Sequence, residues 1–249
     1  MPSAYKALVS SDWNECLAPC GPFDAITFHF PALRPDMEAI FRQYTGNAIS
    51  LTTAVQHIKT LLPAGLSRRQ MDIYLDSALE TYSGVPQLIQ DCLQRDICFM
   101  INTTGMIGYF QRILAKALLP TIPVLSAHPL IRYTADRHEP EWILELMETS
   151  DKAAHTAAIA KQFNIPPHKI VLIGDSGGDG PHFEWGAAAG AMLIGSMTKP
   201  SLQHYCRKRR ITINHYFGHS YAEAEAKSIE KERSYDFRDL LDIILKAVG

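Results

Sequence analysis

Two carboxylates four residues apart, Asp175 and Asp179, stand on a glycine-rich stretch directly after the apolar run 169–174. Two acids separated by three small residues can converge on one hard cation, which takes oxygen ligands. An ordinary strand-to-helix turn is also rich in Asp and Gly, so this pair alone leaves both readings open. Asp12, at the end of the short apolar run 5–11, supplies a third acid. Thr103 follows the apolar run 97–101 and adds a hydroxyl, and Lys152 adds a cation. Together these types suit phosphoryl transfer. A carboxylate can attack phosphorus and split one hard step into two. A divalent cation held by carboxylates screens the nucleophile from the phosphate charge. A hydroxyl and an ammonium can hold the other phosphate oxygens. Taken singly, Lys152 reads as a surface lysine, Thr103 as a helix cap and Asp12 as a turn cap. The ordered set carries the chemistry.

These residues need elements that bring them together. Residues 5–11 and 97–101, the run 169–174 and the stretch 191–195 read as strands, with further candidates at 122–125, 130–133 and 211–214. Helices are expected over 86–95, 106–118, 152–163, 182–189 and 236–248 from apolar spacing. Strands alternating with helices imply a parallel sheet covered on both faces. Right-handed crossovers then put the carboxyl ends of the strands, with Asp12, Thr103 and Asp175, on one edge. Between Pro35 and Tyr82 the pattern is helical throughout. Met37, Ile40, Phe41 and Tyr44 share a face, as do Leu51, Val55, Ile58 and Leu62. Ser67 and Gln70 form a capping box ahead of a third face of Met71, Tyr74, Leu75, Ala78, Leu79 and Tyr82. Three amphipathic helices without an intervening strand read as a small helical domain inserted early in the chain.

With 249 residues the chain can bury a sizeable core. A hydrophobic share of 47%, a charged share of 20% and a net charge of −2 place it among soluble globular proteins and against general phosphate-backbone binding. The basic run Arg207-Lys208-Arg209-Arg210 is the local exception, and reads as a solvated helix end. Residues 1–6 lack a signal pattern and no apolar run approaches membrane-spanning length, so a cytoplasmic protein is expected. Five irregularly spaced cysteines fit reduced thiols, and Cys16 and Cys20 lack partners at zinc-finger spacing.

With the motifs in order, the chain resembles the haloacid dehalogenase (HAD) superfamily. That family's pattern is a first strand ending in Asp-x-Asp, a second ending in Ser or Thr, a downstream Lys, and a strand ending in Gly-Asp-x-x-x-Asp. Here these stand as Asp12-Trp13-Asn14, Thr103, Lys152 and Gly174-Asp175-Ser176-Gly177-Gly178-Asp179. The stretch Thr103-Thr104-Gly105-Met106 resembles the Ser-Gly-Gly-Met/Phe of the phosphoserine phosphatase branch, which includes the methylthiopentenyl-phosphate phosphatase of methionine salvage. The resemblance implies a three-layer Rossmann-like core (1–19 and 86–249) with a helical C1 cap (20–85) inserted after the first strand. It implies a Mg²⁺-dependent phosphatase of a small phosphorylated metabolite, monomeric or homodimeric, without nucleic-acid or membrane partners. Asp12 would be the nucleophile. Asp12, the Asn14 carbonyl, Asp175 and Asp179 would hold the metal, and Thr103, Thr104, Gly105 and Lys152 the phosphate. Arg42, Arg68 and Arg69 are the cap cations that could meet an anionic group, although solvated arginines are the plainer reading. Cys16 stands where the family often has Thr or Val.

Asn14 departs from the pattern. The family's second Asp protonates the leaving oxygen and then helps deprotonate the hydrolytic water, which an amide cannot do. Three readings follow: a phosphatase selective for good leaving groups, one in which Glu15 or His182 replaces the acid, and a non-catalytic phospho-ligand or partner-binding protein. A phosphonate-cleaving enzyme using the cap lysine Lys59 ranks below these, and a dehalogenase lower still.

Overall fold

The computed structural model describes residues 5–46, 48–135 and 138–249. Seven strands form one parallel sheet: β1 (Ala7–Ser11), β2 (Ile97–Met106), β3 (Val124–His128), β4 (Trp142–Glu145), β5 (Ile170–Gly174), β6 (Met192–Ser196) and β7 (His215–Phe217). Their spatial order is β4-β3-β2-β1-β5-β6-β7. Every residue of β1, β3 and β5 is buried, as expected of strands covered on both faces. Successive residues feed opposite layers. Ala7, Val9, Ile101 and Ile173 join one buried cluster, and Leu8, Cys98, Met100 and Leu172 the other.

Eleven α-helices complete the described structure. α1 (Asp24–His29), α2 (Arg34–Thr45), α3 (Leu51–Leu61) and α4 (Arg68–Ala78) lie between β1 and α5 (Val85–Gln94). They are followed by α6 (Ile107–Ala115), α7 (Asp151–Gln162), α8 (Gly180–Ala189), α9 (Pro200–Arg209), α10 (Ile229–Arg233) and α11 (Leu240–Val248). The Ser67–Gln70 capping box opens α4, and the apolar faces of α2 to α4 are buried. Ion pairs from Arg112 and Lys116 on α6 to Asp72 and Asp76 hold α4 against the rest of the chain.

Several elements differ from the sequence reading. Residues 130–133 are not a strand. Their backbone bonds to α6, with Gly108 N donating to Ile131 O at 2.7 Å and Tyr133 N donating to Gln111 Oε1 at 2.8 Å. The edge position goes to β4, a short, partly exposed run with Trp142, Ile143 and Leu144 that the sequence reading passed over. The opposite edge strand begins at His215 rather than within 211–214, because Asn214 is already spent on Leu193 through both its backbone and its side chain. α4 stops at Ala78, so Tyr82 is not on its face. The Tyr82 ring stacks on Phe237 and its hydroxyl donates to Glu232 Oε2 at 2.6 Å. α1 forms just past Pro19, Gly21 and Pro22, outside the helical stretch 35–82 read from the sequence. The basic run ends α9, where cationic side chains offset the helix dipole, and Arg210 terminates it in the left-handed region. No described helix is long and apolar enough to cross a membrane.

Candidate active site

β1 pairs with β2 on one side and β5 on the other, with Ser11 opposite both Ile101 and Ile173. The strand order turns back on itself here, which is where open α/β sheets leave a crevice beyond the strand ends. Asp12 leaves β1 into that crevice. Its backbone N–H donates to Ile173 O at 2.9 Å, and its Oδ1 accepts from Trp13 N at 2.7 Å. Trp13 is fully buried against Phe110, so the turn carrying Asp12 is anchored by packing.

Lys152 is 1% exposed, which excludes the surface-lysine reading. From the first turn of α7 its Nζ lies 3.1 Å from Asp12 Oδ2 and 2.6 Å from Asp179 Oδ1. Its carbonyl accepts from Asn102 Nδ2 at 2.9 Å and Thr156 Oγ1 at 2.8 Å, which fixes the backbone beneath the ammonium. Asp179 folds back over its own loop, where Oδ2 accepts from the N–H groups of Asp175 at 2.9 Å and Ser176 at 3.2 Å. Gly174 permits this closure, since a Cβ there would lie 2.7 Å from Asp179 Oδ2.

Asp12, Asp175 and Asp179 are buried, and each offers an oxygen within 4.8 Å of the others. Burial pushes the Asp12 carboxyl above its ordinary value against the pull of Lys152. Burial also pushes Asp175 well up, with the charges of Asp179 and Asp12 adding to it and Lys199 opposing. Asp179 would rise through burial too, but Lys152 and its backbone donors outweigh that and hold it low. Asp175 Oδ2 is buried without a hydrogen-bond donor at acceptable angle, although Lys199 Nζ makes an ion contact at 2.7 Å. Three buried carboxylates whose hard oxygens converge in this way fit a divalent cation in this place.

Thr103 is fully buried; its Oγ1 accepts from Gly105 N at 3.1 Å and donates to Asn14 Oδ1 at 3.4 Å. Asn14 Nδ2 in turn donates to Cys20 O at 3.3 Å. Thr104 meets the Tyr44 hydroxyl at 2.8 Å. Beside Asn14 the cavity measures only 10 Å³, lined by Tyr74, Tyr109, Met106 and Gly105 among others. A larger cavity of 230 Å³ opens between α1, α2 and the segment after β1, with Glu15, Asp24, Arg34, Phe41 and Lys227 in its walls.

The structure thus brings Asp12, Asn14, Thr103, Lys152, Asp175 and Asp179 together, with Thr104 and Gly105 beside them. It does not bring either substitute acid to the reacting side. Glu15 is gripped by Lys199 and by Lys227, the latter at 2.7 Å. Burial would raise it, yet these two ammonium groups pull it down to about 2. His182 is buried with its Nε2 on Thr156 Oγ1 at 2.9 Å, and burial followed by the Lys152 charge pushes it down to about 3. Arg42, Arg68 and Arg69 are exposed, and Arg68 reaches Thr134 O and the Tyr133 ring instead. Lys59 is exposed on α3, and its charge is felt at His128 rather than at Asp12. Cys16 is fully buried, and burial pushes its thiol well up, which makes it inert.

Two residues at the site escaped the sequence reading. Lys199 follows β6, and its position past a parallel strand's carboxyl end was the available signal. Tyr44 reads in sequence only as part of an apolar face.

No family model matches the sequence, and no curated protein matches it. Solved structures do match by shape. A phospho-aspartyl intermediate analogue of phosphoserine phosphatase has a TM-score of 0.68 and 16% identity, covering 96% of this chain and 99% of that one. A substrate-bound phosphoserine phosphatase complex has a TM-score of 0.67 and 16% identity over 96% and 98%. A HAD family hydrolase from Salmonella enterica subsp. enterica serovar Typhi has a TM-score of 0.62 and 16% identity over 88% and 69%. The seven-stranded parallel sheet and its helices, over nearly the whole chain, have the fold of these phosphoserine phosphatase structures.

Proposed function

We propose that this protein is a HAD-type phosphatase that hydrolyses a small phosphorylated metabolite through an aspartyl-phosphate on Asp12. The observation that carries the reading is the buried Lys152 ammonium held between Asp12 and Asp179, because a cation so placed can face both a nucleophile and a transferred phosphoryl group. One carboxylate oxygen of Asp12 attacks phosphorus, the bond to the leaving oxygen breaks, and water later displaces phosphate from Asp12. Lys152, Thr103 and the Thr104–Gly105 segment hold the phosphoryl oxygens as charge redistributes among them. Asp12, Asp175, Asp179 and the Asn14 carbonyl would hold Mg²⁺, which lowers the charge repulsion between nucleophile and phosphate. Residues 20–85 act as a cap. The cavity of 10 Å³ beside Asn14 holds about one water at most, so substrate entry requires this cap to open and closure then excludes water.

Asn14 supplies no proton to the leaving oxygen, and Glu15 and His182 are held elsewhere. Turnover is therefore slow on alkyl phosphates and faster on substrates whose leaving group departs as an anion. The test is phosphate release from an aryl phosphate with Mg²⁺, against an Asp12→Asn control. Activity that vanishes in the control supports the reading, and no release above the control sinks it. A second reading, a non-catalytic phospho-ligand-binding protein, is favoured by the amide at position 14 together with the small cavity beside it. Ligand binding without release would select it.

A further inference from the structure

Lys199 holds Asp175 twice. Its backbone N–H donates to Asp175 O at 2.8 Å, and its Nζ lies 2.7 Å from Asp175 Oδ2. The same ammonium pairs with Glu15 and sits 5.5 Å from the centre of the Phe41 ring. Glu15 is fixed in turn by Lys227, whose Nζ is 2.7 Å from Oε1 and 2.9 Å from Pro19 O. A chain of alternating charge, Asp175–Lys199–Glu15–Lys227, therefore runs from the acidic cluster to the wall of the larger cavity. Lys152 already stands between Asp12 and Asp179, so Asp175 is the carboxylate that Lys152 leaves unserved.

From this we infer that Lys199 is a positioning residue that clamps Asp175 in its ligating place and limits how tightly a divalent cation is held there. The inference rests on the metal-dependent reading above. Three buried carboxylates within 4.8 Å repel one another and would splay without compensation. Two ammonium groups, Lys152 on Asp12 and Asp179 and Lys199 on Asp175, keep the cluster assembled before any metal arrives. The cost falls on affinity, because a fixed positive charge against a ligand oxygen repels an incoming cation. Glu15 moderates the effect by drawing part of the Lys199 charge toward itself. The arrangement suits a site whose metal exchanges readily while its geometry persists.

The test is titration of the full chain with Mn²⁺, read from the electron paramagnetic resonance of the free ion, with thermal melting in the presence and absence of Mg²⁺. Lys199→Met is expected to bind Mn²⁺ about tenfold more tightly, since a like charge in contact with the site is removed. Its metal-free form melts lower than the native protein, and Mg²⁺ raises its melting temperature by more than it raises the native one. Glu15→Gln is expected to move the other way, with affinity about threefold weaker, as Lys199 then spends its charge on Asp175 alone. This arm stands even where Lys199→Met fails to fold. Unchanged or weaker binding in Lys199→Met, or unchanged or tighter binding in Glu15→Gln, overturns the inference. An unchanged metal-free melting temperature in Lys199→Met overturns the clamp. A native protein that binds no Mn²⁺, like an Asp175→Asn control, defeats the metal-dependent reading itself.

Discussion

Thr103 Oγ1 directs its hydrogen to Asn14 Oδ1, 3.4 Å away, so the amide presents its oxygen to that buried hydroxyl. Its nitrogen is turned to Cys20 O. A carboxylate at position 14 would keep the first contact and lose the second, while gaining a group that can carry a proton. Asn14→Asp is therefore expected to raise turnover on alkyl phosphates by about 10²-fold or more, the usual scale of general acid–base assistance. Aryl phosphates should gain far less. Equal gains on both, measured as kcat, would mean that the missing proton is not the limit.

Lys152 is the buried ammonium shared by Asp12 and Asp179. Lys152→Met leaves Asp12 and Asp179 buried without their shared cation. Breaking a buried pair in this way typically costs about 3–5 kcal/mol, which denaturant titration reads directly. Phosphate release should be lost as well. A variant of native stability would show that solvent reaches these carboxylates.

Tyr44 joins α2 to the Thr103–Gly105 segment through its hydroxyl on Thr104. Tyr44→Phe removes one hydrogen bond, worth about 0.5–1.5 kcal/mol, and keeps the ring packed on Phe41. The expected outcome is a several-fold loss in kcat/KM with little change in melting temperature. No kinetic change would mean that the contact does not survive in the substrate-bound form.

His182 is expected to give the fold an acid sensitivity. Its value is pushed from 6.5 down to about 3, first by burial and then by the Lys152 charge. The unfolded chain therefore binds more protons than the native state between these values. Stability is fully present above 6.5 and is lost as pH falls toward 3. His182→Gln should flatten stability against pH in that window. His128 and His155, also pushed down mainly by burial, leave a residual slope. An unaltered slope in the variant would show that His182 takes up no proton late.

Much of the core is legible from local pattern. The runs that become β1, β5 and β6, and the first half of β2, are largely apolar because both faces of the sheet are covered. α2, α3 and α4 show in sequence because each buries one face only, and the Ser67 cap marks its own helix start. The edges were not legible in the same way. β4 and β7 are only four and three residues long and partly exposed, so each gives too short a pattern to read as a strand before its pairing with a neighbour is known. The apolar residues near 130–133 are buried by packing on α6 without joining the ladder.

For the site, the sequence by itself determined the inventory: an acid after each of two strands, a hydroxyl after a third, a lysine opening a helix and a second acid on a glycine loop. Residue types and short spacings are enough for that, because strand ends of a parallel sheet share one edge. Only the tertiary structure decided which charges touch. Lys152 between Asp12 and Asp179, Lys199 against Asp175, and Glu15 locked between two lysines pair residues 24 to 212 positions apart. Contacts at such separation are set by how helices seat on the sheet, and periodicity along the chain carries no record of them.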